Sequence, residues 1–196
     1  MFYRESLLYS LNSLEPFIDT PTMDEHYNVH YKKYAESLND AIAENDLFGM
    51  PIEELLKKHH NIKKIRNNGG GFYNHLLYFK NLSPYSKLYR ASDGLKNAMA
   101  SNFGSFENFK SQFVEAGSTV FGSGWAWLIL HENKLKIATT SNQDNPIMTL
   151  DCEILLGMDV WEHAYYLKHK ANRKGYMDDF FGVINWEVVS DRYEIN

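Results

Sequence analysis

Cysteine is almost absent: Cys152 is the single one among 196 residues. That excludes an intrachain disulfide and suits a reducing compartment, and the residue reads as a small half-buried position in a strand. Five prolines and twelve glycines are too few for a collagen-like or low-complexity chain. Long apolar runs are missing too, for nothing approaches the roughly 18 apolar residues of a membrane-spanning helix. Residues 1–14 carry Arg4 and Glu5 and show no apolar stretch with a small-residue cleavage site. A dense basic stripe is also lacking, and the net charge is -5, which gives no footprint for nucleic acid. The expectation is a soluble cytoplasmic protein with neither membrane nor nucleic acid as partner.

What is present is apolar and aromatic: 44% hydrophobic residues and 15% aromatic, enough for a real core. Asp19-Thr20-Pro21 reads as a helix start, with Thr20 as cap and Pro21 at the first helical position. This helix runs to about Asn45. His26, His30 and Tyr34 stand in it at i, i+4 and i+8, beside Met23, Tyr27, Tyr31 and Leu38. The stripe fits a core-facing aromatic seam, and it equally fits polar tips sharing a metal and its solvent. Residues 51–58 form a short amphipathic helix, and His59-His60 reads as its solvated end. Residues 62–79 form a second long helix interrupted by Gly69-Gly70-Gly71. Glycines there cost about 1 kcal/mol each relative to alanine. Either the helix breaks at them, or a backbone or bulky side chain packs against the turn, close to whatever His75 binds four residues on.

The polar stretch 81–86 marks a boundary, giving an N-terminal domain over 1–82 and a C-terminal domain over 83–196. Helices are expected over 91–102 and 105–117, followed by a break at Phe121-Gly122-Ser123-Gly124. The pattern then becomes strand-like, with 125–131 and 134–140 forming a hairpin around Glu132-Asn133 and 154–158 giving a third strand. Three strands without intervening helices predict a small antiparallel sheet flanked by helices, in an α+β fold. The end, 165–193, reads as helical, with Phe180, Phe181 and Trp186 clustered.

Asp159-Val160-Trp161-Glu162-His163-Ala164-Tyr165-Tyr166 follows the third strand. A helix starting here would place Asp159 and His163 one turn apart on one face. With His26 and His75 they make three imidazoles and one carboxylate. Mixed nitrogen and oxygen ligation excludes an iron–sulfur cluster and suits iron, manganese or zinc, among which spacing does not choose.

Over residues 8–186 the chain resembles the iron/manganese superoxide dismutases. The matching segments are Leu14-Glu15-Pro16, the His26, His30, Tyr34 stripe, and Arg66-Asn67-Asn68-Gly69-Gly70-Gly71 leading to Asn74-His75. They continue with Phe103-Gly104-Ser105, Phe121 to Trp127, Asn142-Gln143-Asp144, and the specific signature from Asp159 to Tyr166. The resemblance implies an N-terminal helical hairpin, a C-terminal α/β domain with a three-stranded antiparallel sheet, and a metal between them. It implies disproportionation of two superoxide anions to dioxygen and hydrogen peroxide, with one manganese ion per subunit (or iron) cycling between M(III) and M(II). Zinc has no redox chemistry for that task. The implied ligands are His26, His75, Asp159 and His163.

By the same resemblance Gln143 hydrogen-bonds the metal's solvent, Tyr34 stands at the mouth of the site, and Trp125 and Trp161 are its dry walls. Gln143 together with Gly71, which leaves room for the amide, is the manganese-type pattern. Phe72-Tyr73 departs from it and leaves iron open. Glu162 and Tyr166 would reach His163 and His30 of a second copy, implying a homodimer, with a tetramer left open. Arg173 would line the substrate funnel. Lys174-Gly175 replaces the usual Pro-Asp after it, and Val29 stands where many relatives carry a basic residue. A weaker or redistributed funnel, using Lys33 or Lys174, is therefore expected, with a shallow salt dependence. The alternatives are a non-catalytic metal-binding protein that retains the fold, and a two-histidine, one-carboxylate iron oxygenase or hydrolase, against which the third histidine stands.

Overall fold

A computed structural model describes residues 1–86 and 90–195. Its first helical arm is one rod built from α1 (Thr20–Asp24), a π-helical stretch over Glu25–Tyr31 and α2 (Lys32–Asn45). The cap is Asp19, whose carboxylate accepts from the Thr22 N–H at 3.3 Å. Thr20, the expected cap, is the first helical residue instead. Asp46 ends the rod in the left-handed region, with φ 54°, and α3 (Ile52–His59) follows. The second arm joins a π-helical stretch over Ile65–Gly69 to α4 (Gly70–Lys80) without a break. Such π-turns often mark functional sites, and here both arms carry one.

The glycines at 69–71 do not interrupt the helix. A Cβ at Gly69 would press on Leu56, one at Gly70 would collide with the backbone carbonyl of Gln143, and one at Gly71 would collide with the Tyr34 ring. Close packing thus offsets the helical cost of about 1 kcal/mol per glycine. The sequence assigned the space at Gly71 to the Gln143 amide. It is the Tyr34 ring that fills it, and Gly70 admits the Gln143 backbone.

In the second half α5 (Asp93–Phe103) and α6 (Phe106–Thr119) are capped by serines. Ser92 Oγ accepts from Leu95 N and Ser105 Oγ from Asn108 N, both at 3.0 Å. Strands β1 (Gly124–His131), β2 (Lys134–Ser141) and β3 (Glu153–Asp159) form one antiparallel sheet in the order β2-β1-β3. Glu132 and Asn133, with φ 53° and 58°, make the two-residue hairpin turn whose twist matches the strands. The register sets Trp125 opposite Asp159, then slips at Leu128/Ile129. The slip leaves Leu155 as a bulge, and its carbonyl accepts from Asn81 Nδ2 at 3.2 Å and Arg192 Nη1 at 3.0 Å. One bulge thereby ties the end of the hairpin domain to the sheet and the last helix.

Two expectations need correction. No α-helix begins at Asp159, which is the last residue of β3. Trp161 is extended, Glu162–Ala164 is a 3₁₀ turn, and α7 (Tyr166–His169) is a single turn. Nor is 165–193 one helix: α7, α8 (Arg173–Phe180) and α9 (Trp186–Glu194) are separate. Lys170 breaks the chain at φ 51°, and Gly182 lies beneath the Phe17 ring, where a side chain would not fit. The aromatic cluster does form, with Phe181 and Trp186 packed on Phe109. Among the described residues no helix is long and apolar enough to cross a membrane.

Candidate metal centre

Asp159 Oδ1 is fixed by the backbone N–H of Trp161 at 2.8 Å, which leaves Oδ2 to face inward. Three imidazole Nε2 atoms converge on that oxygen, from His163 at 3.0 Å, His26 at 3.1 Å and His75 at 3.7 Å. The four donor atoms all lie within 4.8 Å of one another. His26 comes from the first arm, His75 from the second, Asp159 from the end of β3 and His163 from the turn beyond it. The i, i+4 pair expected in a helix therefore meets across a strand end and a 3₁₀ turn.

The chemistry of these groups suits a cation. His75 Nδ1 lies 2.6 Å from the Gly71 carbonyl. A carbonyl only accepts, so Nδ1 carries the proton and Nε2 is left as a bare lone pair. His26 Nε2 and His75 Nε2 are both buried without an aligned hydrogen-bond partner. Such orphans cost free energy unless something satisfies them. Burial lowers the pKa of His75 well below its ordinary value and also lowers that of His26, which keeps both rings neutral, as ligation requires. For Asp159 burial alone would raise the pKa. The neighbouring His163 overrides it and holds the carboxyl well below the usual range.

Aromatic rings close the centre. His26 meets Tyr78 at 4.9 Å and Phe79 at 5.1 Å between centroids, and His75 meets the fully buried Trp125 at 5.4 Å. Trp161 is half-buried and stacks on His163 at 5.5 Å. His30 also stacks on His163, at 4.1 Å. Burial first, then His163 and His26, bring the His30 pKa down to about 4.

Gln143 lies under this centre with both ends of its amide occupied. Its Oε1 accepts from Trp125 Nε1 and Asn74 Nδ2, each at 3.1 Å, and its Nε2 donates to the Tyr34 hydroxyl oxygen at 3.0 Å. Tyr34 in turn sits 5.1 Å from the His75 ring. Burial, moderated by the Gln143 bond, pushes the Tyr34 pKa up to about 12. Tyr34 and Gln143 also form part of the lining of an open cavity of about 860 Å³, with Trp161, Lys63, Arg66 and Asn142. Arg66 is neutralised by a two-point pairing with Asp144. Lys63 is exposed and makes no ion pair among the described residues.

Arg173 lies elsewhere. Its guanidinium donates to the Val120 and Gly122 carbonyls at 2.8 and 2.7 Å, and it does not line that cavity within the single chain. Lys174 pairs with Asp178 on the surface. Glu162 is exposed and accepts from Ser123 Oγ at 3.4 Å. Tyr166, Leu167 and the wholly solvent-facing Phe121 are also exposed. Sequence reasoning missed Asn74 and Asn145 as parts of the site. The available signal was a pair of amides, one directly before His75 and one two residues past Gln143.

A helical hairpin facing an α/β domain, with three imidazoles and one carboxylate at the seam, defines a mononuclear metalloprotein of the nitrogen- and oxygen-ligated class. The family model for the iron/manganese superoxide dismutase alpha-hairpin domain matches residues 2–83, and that for the C-terminal domain matches residues 91–192. The chain is 42% identical to superoxide dismutase [Mn] of Acinetobacter baylyi over 98% of its own length and 87% of the relative's. It is 41% identical to superoxide dismutase [Mn] of Listeria innocua (96% and 95% covered). With superoxide dismutase [Mn/Fe] 2 of Staphylococcus aureus the identity is 37%, over 98% of both chains. The chain belongs to the iron/manganese superoxide dismutase family.

Proposed function

We propose that this protein is a superoxide dismutase that holds one manganese or iron ion at His26, His75, Asp159 and His163. The observation that carries the reading is the convergence of three imidazole nitrogens on one carboxylate oxygen in a buried, aromatic-walled seam. A redox metal held there supplies one-electron transfer in both directions, so that two superoxide anions and two protons become one dioxygen and one hydrogen peroxide. Zinc would offer no such electron.

The chain's own groups handle the protons and the water. Tyr34 uses its oxygen to accept from Gln143 Nε2, so its O–H remains free to deliver a proton toward the cavity it lines. A pKa near 12 keeps that proton in place at neutral pH. Gln143 is oriented by Trp125 and Asn74 and passes the hydrogen-bond network on to the metal's surroundings. Trp125, Tyr78 and Phe79 exclude water, and Trp161 and His30 each stack on His163 and hold its ring. Gln143 with Gly71 favours manganese. Lys63 is the cation best placed to attract an anion into the cavity.

The working unit in this reading is a homodimer. Glu162, Tyr166, Leu167 and Phe121 are all exposed in the single chain, and exposed large apolar side chains of that kind suit a partner surface. Glu162 would accept from the second copy's ligand histidine, fixing its tautomer, and Tyr166 would reach that copy's His30. Division into a hairpin domain over 1–82 and an α/β domain over 83–196, and residence in the cytoplasm, complete the proposal.

Separate reconstitution of the metal-free protein with manganese and with iron, followed by a superoxide assay, tests it. Activity with manganese, or with both metals, is the expected result. Activity with iron alone would refute the preference drawn from Gln143 and Gly71. A stoichiometrically loaded but inactive protein would favour the non-catalytic alternative.

A further inference from the structure

A glutamine amide turned by 180° fills almost the same space but exchanges a donor for an acceptor, so its partners alone decide its orientation. At Gln143 that orientation determines whether Tyr34 receives a hydrogen bond or must donate one. The structure assigns this decision jointly to Trp125 and to Asn145, which shows no hydrogen bond to the candidate ligands or to Tyr34, and makes Asn145 a positioning residue for Gln143.

The argument starts from a group that cannot be reversed. The backbone N–H of Ile147 donates to Asn145 Oδ1 at 3.1 Å. That fixes which end of the Asn145 amide faces inward, and its Nδ2 donates to Asn74 Oδ1 at 2.7 Å. Asn74 must then turn its own Nδ2 toward Gln143, where it reaches the backbone O at 3.2 Å and Oε1 at 3.1 Å. Trp125 Nε1, which can only donate, takes the same Oε1. Gln143 Nε2 is thereby left to face Tyr34. Asn74, Gln143 and Asn145 are exposed by only 0%, 3% and 2%, so water does not scramble the order. Each amide has one orientation that satisfies its neighbour, and two donors that cannot be reversed, the Ile147 N–H at one end and Trp125 Nε1 at the other, impose the same direction on the chain.

The chain can be reversed by design. Asn145→Asp keeps an acceptor for Ile147 but opposes an oxygen to Asn74 Oδ1. Asn74 must turn to donate to it, which sets Asn74 Oδ1 against both oxygens of Gln143. Asn145→Ala removes the constraint without imposing the wrong one, and Trp125 still holds Gln143. The inference rests on the proposed dismutase only for its kinetic readout, so the visible absorption of the bound metal is recorded as well, since it needs no turnover.

The experiment compares both variants with the parent as metal-loaded proteins. Asn145→Asp is expected to lower kcat at least tenfold, raise the solvent deuterium isotope effect on kcat and shift the metal's absorption band, at unchanged metal content. Asn145→Ala is expected to lower kcat two- to fivefold. A merely structural role would lower thermal stability in both variants and leave the isotope effect and the band of the folded protein alone. An Asn145→Asp protein that loads metal with the parent's isotope effect and band would overturn the inference. Should Asn145→Asp fail to fold, an isotope effect in Asn145→Ala equal to the parent's would overturn it, and a raised one would support it. If the parent itself is loaded but inactive, the proposed function fails, and the absorption band alone decides the role of Asn145.

Discussion

The ring of Tyr34 occupies the space that a side chain at Gly71 would need. A Cβ built at Gly71 falls within the van der Waals envelope of ring carbons Cδ1, Cε1 and Cγ, while the hydroxyl on the same ring is held by Gln143 Nε2 at 3.0 Å. The two arms of the hairpin can approach closely enough to build the centre because one of them carries no side chain here.

Gly71→Ala should therefore act through Tyr34. Alanine gains about 1 kcal/mol of helix propensity, against about 1–3 kcal/mol for forcing the ring aside. The expected result is a net loss of stability with several-fold lower turnover, read by thermal melting and a superoxide assay. In a Tyr34→Ala background the same change should become neutral or stabilising. A penalty that persists there would show that Tyr34 is not the obstacle.

Glu162→Ala tests the second copy. If Glu162 holds the partner's ligand histidine, sedimentation should shift toward monomer, and metal content and turnover should fall with it. Glu162 is exposed within the single chain and its one partner there is a 3.4 Å contact with Ser123, so an isolated subunit would lose little. A variant that stays dimeric, loaded and active would remove the bridging role.

Lys63→Glu tests anion steering. Lys63 lines the cavity and makes no ion pair among the described residues, whereas Arg66 is tied to Asp144, and the chain's net charge is -5. A cavity with so little free positive charge gives the parent a shallow salt dependence. Charge reversal at that position should lower kcat/KM about three- to tenfold at low ionic strength, with the deficit shrinking as salt screens it. A deficit that is unchanged in 0.5 M salt would argue for a packing effect.

Cys152 should be inert toward thiol reagents. Burial, then the neighbouring Glu153, raise its pKa to about 11, and the reactive species is the thiolate. Because the folded pKa is raised, the stabilising contribution of the neutral thiol is intact below the unfolded value near 9 and is lost as pH rises toward 11. Modification at pH 8 should be at least tenfold slower than for a free cysteine and should become fast on unfolding. Rapid labelling of the native protein would contradict the buried placement.

Much of the centre was legible in the sequence because its chemistry is carried by residue type and local order. His26, His75, Asp159 and His163 were identifiable as three imidazoles and a carboxylate, and the three strands could be read from their β-forming runs. The family resemblance supplied the roles of Gln143 and Tyr34, which spacing by itself did not. The errors lay where backbone geometry was undecided. The run after Asp159 has the residues of a helix, yet it leaves the strand through an extended Trp161 and a 3₁₀ turn.

Sequence alone therefore determined which ligating atoms exist, roughly which elements carry them, and that no disulfide forms within the chain. The tertiary structure decided how they meet: the Trp125 and Asp159 register, the space at Gly70 and Gly71, and the amide order from Asn145 to Tyr34. The physical reason is that each of these depends on contacts between segments far apart in the chain. A hydrogen-bond direction or an excluded volume belongs to two such segments together, and neither one records it by itself.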